Sequence, residues 1–251
     1  MAAKARPTPA ARHPPSACGG DTYCAGYPWH WSVYQWLAGE DASITPVADV
    51  HQTAVTLAEF ILALHRVDPT GGPSSGEHNF FRGVPLAMRD SKTRAAIASL
   101  HDTFNADVML KAWNGSLEAP AWNDPPCWIH GDLIPTNLLV QNGRLSAVID
   151  FGGLGVGDPA CDLLVAWTFL SAETRVVFRS VLSVDDATWT RGRGWAISFG
   201  LIAFEYYQET NPVLARIAKR SIEQALADYK ITAPVFNETE KNAREDGISS
   251  R

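Results

Sequence analysis

Apolar residues at Val47, Val50, Ala54, Leu57, Ala58, Ile61 and Leu64 recur at the spacing of one helix face. Thr45 and Pro46 stand before them as N-cap and first helical residue, which predicts a helix from there to about Arg66, stopped by Asp68-Pro69. Upstream, Tyr27 to Leu37 is aromatic and partly alternating; its later half reads as a strand, broken at Gly39-Glu40-Asp41. Thr70 to Gly76 is a loop of Gly, Ser and Pro. Weaker helical spacing occupies roughly 84–112, and the chain is loop-like from Trp113 to Pro126.

The pattern changes at Cys127-Trp128-Ile129, a short apolar run into His130-Gly131-Asp132. Leu138 to Val140 predicts a strand, Asn142-Gly143 a tight hairpin turn, and Leu145 to Ile149 the returning strand. After Asp158-Pro159 the spacing is helical, near 160–171, 173–182, 187–208 and 212–229. Residues 1–26, with four prolines and the pair Gly19-Gly20, carry too little apolar surface to pack, and residues 233–251 form a polar tail. The expected organisation is one domain over 27–232 between these segments.

Composition narrows the picture. Of 251 residues, 46% are hydrophobic and 19% charged, the balance of a globular chain with a sizeable core. Net charge is -6, the pI is about 5.6, and no dense Lys/Arg run is present, which argues against nucleic acid as a partner. No apolar run reaches the roughly 20 residues of a membrane helix, and no apolar core follows Met1 to Pro15 as in a secretory signal. Cys18, Cys24, Cys127 and Cys161 fit no zinc or redox spacing, so they read as free thiols of a cytoplasmic protein.

The candidate chemistry lies in the central segment. Phosphoryl transfer needs a carboxylate to orient the attacking hydroxyl, together with oxygen ligands for magnesium. Asp132 sits in a tight loop, Asn137 lies five positions later where a strand begins, and Asp150 follows the returning strand. Closure of the hairpin at Asn142-Gly143 brings its two ends together, so Asn137 and Asp150 can share one metal with Asp132 beside them. A metal-hydrolase reading of His130, Asp132, Asp150 and Asp158 leaves Asn137 and Phe151-Gly152 without a role.

His130-x-Asp132 with Asn137, followed by Asp150-Phe151-Gly152, resembles the catalytic-loop and metal-loop pair of kinases. With Gly131 after the histidine and Asp158-Pro159-Ala160-Cys161-Asp162-Leu163 downstream, the chain resembles the aminoglycoside phosphotransferase family, which also contains choline, homoserine and macrolide kinases. The likeness runs from about Tyr27 to Tyr229 and is strongest from Trp128 to Leu164. It implies an α+β fold, a mostly helical large lobe of protein-kinase type around a catalytic hairpin. It also implies ATP and Mg2+ as cofactors and a small-molecule hydroxyl as substrate. Asp132 is then the catalytic carboxylate, and Asn137 and Asp150 the magnesium ligands. His130, Asp158 and Asp162 support the site, and the backbone from Tyr34 through Trp36 to Ala38 is the hinge that meets adenine.

The likeness is incomplete at the front. The family's small lobe carries a glycine-rich loop and a strand lysine. Before Tyr27 the only lysine is Lys4, and Gly19-Gly20 is no such loop. The expectation is a large lobe with most of the small lobe missing and an open hinge face suited to self-association or a partner chain. A truncated gene product and a non-catalytic kinase-like binding protein stand as alternatives. Trp29, Trp31 and Trp36 are expected to pack between lobes, and His65 to face the helix C-terminus as a dipole partner.

Overall fold

The computed structural model describes residues 35–232; Tyr34, the two terminal segments, Cys18 and Cys24 lie outside the described residues. The fold is α+β and mostly helical. Glu40–Asp41 forms β1, Val50–His65 α1, Asp90–Ser99 α2 and Ala106–Leu117 α3. Cys127–Ile129 is β2, Leu138–Gln141 β3, Arg144–Val148 β4 and Gly155–Gly157 β5. The helices α4 (Val165–Thr168), α5 (Ala172–Leu182), α6 (Asp186–Tyr207) and α7 (Pro212–Thr232) complete the order.

The hairpin β3–β4 turns at Asn142 (φ 52°) and Gly143 (φ 71°). Two successive left-handed residues match the twist of the flanking strands, which is why Asn-Gly is favoured there. β1 pairs antiparallel with β3, Glu40 opposite Val140 and Asp41 opposite Leu139. Glu40-Asp41 was expected to end a strand; it is the strand, and Gln35 to Gly39 is irregular. A second ribbon pairs β2 with β5, Trp128 opposite Val156, and so closes the loops on either side of the hairpin.

The helix expected from Thr45 starts later. Asp49 is the N-cap, its carboxylate accepting the Gln52 N–H at 2.9 Å. Thr45 to Ala48 is drawn elsewhere: the Thr45 N–H bonds the Asp41 carbonyl, and the Ala48 N–H bonds the Gly143 carbonyl at the hairpin turn. A tertiary bond outcompetes Thr45-Pro46 as a start signal. The face carrying Ala54, Leu57, Ala58 and Ile61 is buried as its spacing predicts. Trp113 to Leu117, expected as loop, belongs to α3, because Trp113 is fully buried and its Nε1–H bonds the Asp90 carboxylate at 2.7 Å.

The core lies among α1, α5, α6 and α7. Trp113, Trp167 and Trp195 are fully enclosed. Burial of one large apolar side chain is worth roughly 1.5–3 kcal/mol. Three glycines let α6 run close to its neighbours: a β-carbon at Gly192, Gly194 or Gly200 would run into Leu163, Leu86 or Ile222 respectively. Trp36 does not pack in the core; it is 90% exposed.

Candidate active site

The loop from His130 to Asn137 is held from beneath by Asp162. This carboxylate is fully buried and accepts the N–H groups of His130 and Gly131, both at 2.8 Å. Burial pushes its pKa up from the ordinary value; the charge-favouring contacts of His130, His65 and the two amides pull it back. Gly131 has φ 80°, and a β-carbon there would strike the Gly153 carbonyl oxygen. That is the steric reason for glycine between His130 and Asp132.

His130 is also buried. Its Nε2 lies 2.9 Å from the Ile149 carbonyl, and its Nδ1 lies 3.2 Å from the Asp132 N–H. A carbonyl only accepts and an amide N–H only donates, so the ring proton is fixed on Nε2. Nε2 thus ties the loop to the residue after β4, and Nδ1 braces the loop itself. Phe151 packs against the ring at 4.7 Å between centroids.

Asp132 stands at the mouth of the loop with both carboxylate oxygens engaged. Oδ2 accepts from Asn137 Nδ2 at 3.0 Å, and Oδ1 from Arg82 Nη2 at 3.3 Å. Asn137 Nδ2 also bonds the Asp132 carbonyl at 2.8 Å. Both partners are acceptors, so the amide points its NH2 group at Asp132 and leaves Oδ1 on the other side. The Ile149 N–H bonds the Asn137 carbonyl at 3.0 Å, which sets Asp150 one residue beyond this junction. Asp150 has φ 60° and is exposed, its Oδ1 accepting the Gly152 N–H at 3.3 Å. Asn137 Oδ1 and the Asp150 carboxylate are hard oxygen donors of the kind magnesium takes. No group of three or more His, Cys, Asp or Glu side chains suited to a metal occurs among the described residues.

Asp158 caps the turn that follows, accepting the Ala160 N–H at 2.9 Å. It also forms a buried ion pair with Arg191, whose Nε lies 2.8 Å from Oδ2, both side chains no more than 5% exposed. Arg191 sits on α6, far along the chain, and no local motif announces it.

Arg82 was also invisible in the sequence. Asn79, fully buried, shapes its loop by accepting the Gly76 N–H and donating to the Arg82 carbonyl at 3.0 Å. Phe80 and Phe81 then adopt φ 56° and 59°, a left-handed turn uncommon for bulky residues, and Arg82 emerges facing Asp132. Beside Asp132 opens a cavity of about 310 Å³, walled by Arg82, Arg89, Ile134, Phe199 and Tyr207 among others.

Trp36 and Ala38, read as hinge, are exposed and outside any strand. His65, read as a cationic partner of the helix end, has its pKa lowered by burial. Cys127 and Cys161 are free, and burial pushes both thiols up to about 12.

Among known proteins, the chain is 27% identical over 148 residues to the uncharacterized protein YcbJ of Bacillus subtilis (strain 168), a match covering 56% of this chain and 44% of that protein. The chain thus spans less than half the length of this curated relative. The GDP and kanamycin complex of APH(2")-IIia superposes with a TM-score of 0.52 at 16% identity, over 79% of this chain and 70% of the other. A second solved structure is the apoenzyme of macrolide 2'-phosphotransferase MphH from Brachybacterium faecium. It gives a TM-score of 0.45 at 21% identity, over 82% and 71% of the two chains. The model of the phosphotransferase enzyme family (APH) matches residues 3–195, more than half of the chain, and this protein belongs to that family.

Proposed function

We propose that this chain transfers the γ-phosphoryl group of ATP to a hydroxyl of a small molecule. Asp132 orients the hydroxyl and accepts its proton, while Asn137 and Asp150 hold Mg2+. The observation that supports this best is the fixed Asn137 amide. Its NH2 group is spent on Asp132, so its oxygen and the Asp150 carboxylate are the donors left at the junction of loop and hairpin. The chemistry Mg2+ supplies when bound is neutralisation of charge on the phosphate oxygens.

The remaining work falls to the protein. Asp162 and His130 fix the backbone that leads into Asp132, so the carboxylate is in place before substrate arrives. Such preorganisation, with proton acceptance worth about 10²–10⁴-fold, is how a loop of this kind accelerates transfer. In this reading the phosphotransferase domain spans 27–232, the backbone near Tyr34, Trp36 and Ala38 meets adenine, and the exposed Trp36 face meets a partner or a second copy. The free thiols fit a reducing cytoplasm. Among the described residues no helix is long and apolar enough to cross a membrane.

A second reading, a kinase-like binding protein without turnover, draws on the Arg82–Asp132 pair, which occupies one oxygen of the carboxylate. Transfer of labelled phosphate from γ-labelled ATP to a panel of small hydroxylated molecules separates the two. Transfer that is lost in Asp132→Asn supports the enzyme; ATP binding without transfer to any acceptor supports the binding protein.

A further inference from the structure

The cavity beside Asp132 is unusual in its charge. Asp132 is the one carboxylate on its wall among the described residues, against two arginines. Arg82 spends one nitrogen on Asp132 and stacks over Phe199 at 5.8 Å, while its Nη1 is buried without an acceptor among the described residues. Arg89 has no carboxylate partner among the described residues. Its Nε bonds the Ser198 hydroxyl at 2.8 Å, and its guanidinium lies 4.8 Å over the Trp195 ring. Ser198 is itself braced by Thr93 at 2.8 Å, so Arg89 is held from the side by a built set of contacts.

Resting on the phosphotransferase reading of this site, we propose that its acceptor substrate is a small hydroxylated anion. Its carboxylate or phosphate is seated by Arg89 and Arg82, and its hydroxyl faces Asp132. A guanidinium offers several fixed N–H donors and matches planar or tetrahedral anions in paired bonds. Burial and the positive charge of Arg82 push Arg89 down to about 10, and an anion seated between the two guanidiniums would offset their mutual repulsion. Hydrophobic side chains of Ile134, Phe199 and Ile202 close the remaining wall and strengthen the charge contact by excluding water. At about 310 Å³ the cavity sits at the lower end of ligand pockets, roughly 300–1,000 Å³. A polycationic antibiotic meets like charge here, and its several amines find one carboxylate already paired.

Calorimetric titration of the full chain, without nucleotide, tests this with four probes: glycerate, glycerol 3-phosphate, glycerol and kanamycin. One or both anions should bind at least about ten-fold more tightly than glycerol or kanamycin, and the stronger of the two identifies the group recognised. Arg89→Met should weaken anion binding about ten- to a hundred-fold, the value of a lost charge-assisted bond. Ala203→Glu, which places a carboxylate on the cavity wall without touching either arginine, should abolish it, with melting curves confirming that both variants are folded. Tighter binding of kanamycin, no anion binding at millimolar concentration, or anion binding indifferent to both substitutions overturns the proposal. Phosphate transfer is read separately: anion binding that responds to Arg89→Met without any transfer leaves the anion site standing and removes the phosphotransferase reading.

Discussion

The two sides of the candidate site are built by different means. On one side, the loop from His130 to Asn137 is gripped through its backbone: Asp162 takes two amides, His130 bridges to Ile149, and Asn137 turns back on Asp132. On the other, Arg82 and Arg89 are held by side chains from distant parts of the chain, Arg89 by a hydroxyl 109 positions away. Backbone clamps fix where the chemistry happens whatever the neighbouring side chains are. Side-chain braces can change residue by residue without disturbing the loop. In the proposed reading, the wall of Arg82 and Arg89 could therefore change what is accepted without disturbing the loop that carries Asp132.

The sharpest way to break this comparison is at Asp132. Asp132→Asn keeps the bond from Arg82 but removes the proton acceptor, and turnover should fall about 10²–10⁴-fold. Asparagine has one acceptor oxygen where the carboxylate has two, so the bond from Asn137 Nδ2 is lost as well. The Asp162 clamp beneath is untouched, so the urea midpoint should shift by no more than that one part-exposed bond, about 1 kcal/mol. A variant with full turnover removes Asp132 from the chemistry.

The next largest effect should appear in stability. Arg191→Met leaves Asp158 charged and buried without its partner. Removing one member of a buried pair costs about 3–5 kcal/mol, measured as a shift of the urea midpoint. The Asp158→Asn, Arg191→Met double variant should recover part of the loss, because it leaves no uncompensated charge. A single variant that unfolds like the parent shows that the pair is hydrated in solution.

Asp162→Asn probes the clamp directly. Asparagine can accept one of the two amides and must turn its own NH2 group toward the other, leaving a buried donor unpaired at about 1–3 kcal/mol. Part of this is offset because burial already disfavours the Asp162 charge. Turnover should fall with stability here, since the same amides carry Asp132. Wild-type melting with lost turnover would transfer Asp162 from support to chemistry.

This division also decides what the sequence made legible. The hairpin and its turn were readable because Asn142-Gly143 is a local signal and its strands are contiguous. The helices α5 and α7 were readable because their buried faces repeat at helical spacing, whereas α6 is buried on every side from Arg191 to Leu201. The contact of Asn137 with Asp132 was readable because one short loop carries both. The start of α1 was misplaced because the Ala48–Gly143 bond outcompetes Thr45-Pro46 as a start. The pairing of β2 with β5, the Asp158–Arg191 pair, and Arg82 against Asp132 join residues whose separation carries no periodic or motif signal. Arg82 could have been suspected only from Asn79 and Gly83 around it, and only once the loop's left-handed turn was known.

The smallest expected effect tests the back of the clamp. His65 closes α1, its Nε2 buried without a partner among the described residues. Burial lowers its pKa below the ordinary 6.5, with the Asp162 charge opposing the shift. In the folded protein the ring therefore resists protonation, whereas in the unfolded chain it takes a proton near its ordinary value. Below about pH 6.5 the unfolded state binds more protons, so stability rises with pH through that window and is lost as pH falls toward the folded value. Thermal melting from pH 7.5 to pH 5.0 should show this as a decline of a few degrees, beginning near the ordinary histidine value. His65→Leu removes the titrating group and should flatten that part of the curve, because leucine cannot take up the proton that favours the unfolded chain. The loop bonds of Asp162 do not run through His65, so turnover near pH 7.5 should change little in this variant. An unchanged decline in His65→Leu would assign the acid sensitivity to another group, and a collapse of turnover at pH 7.5 would show that the clamp reaches through α1 after all.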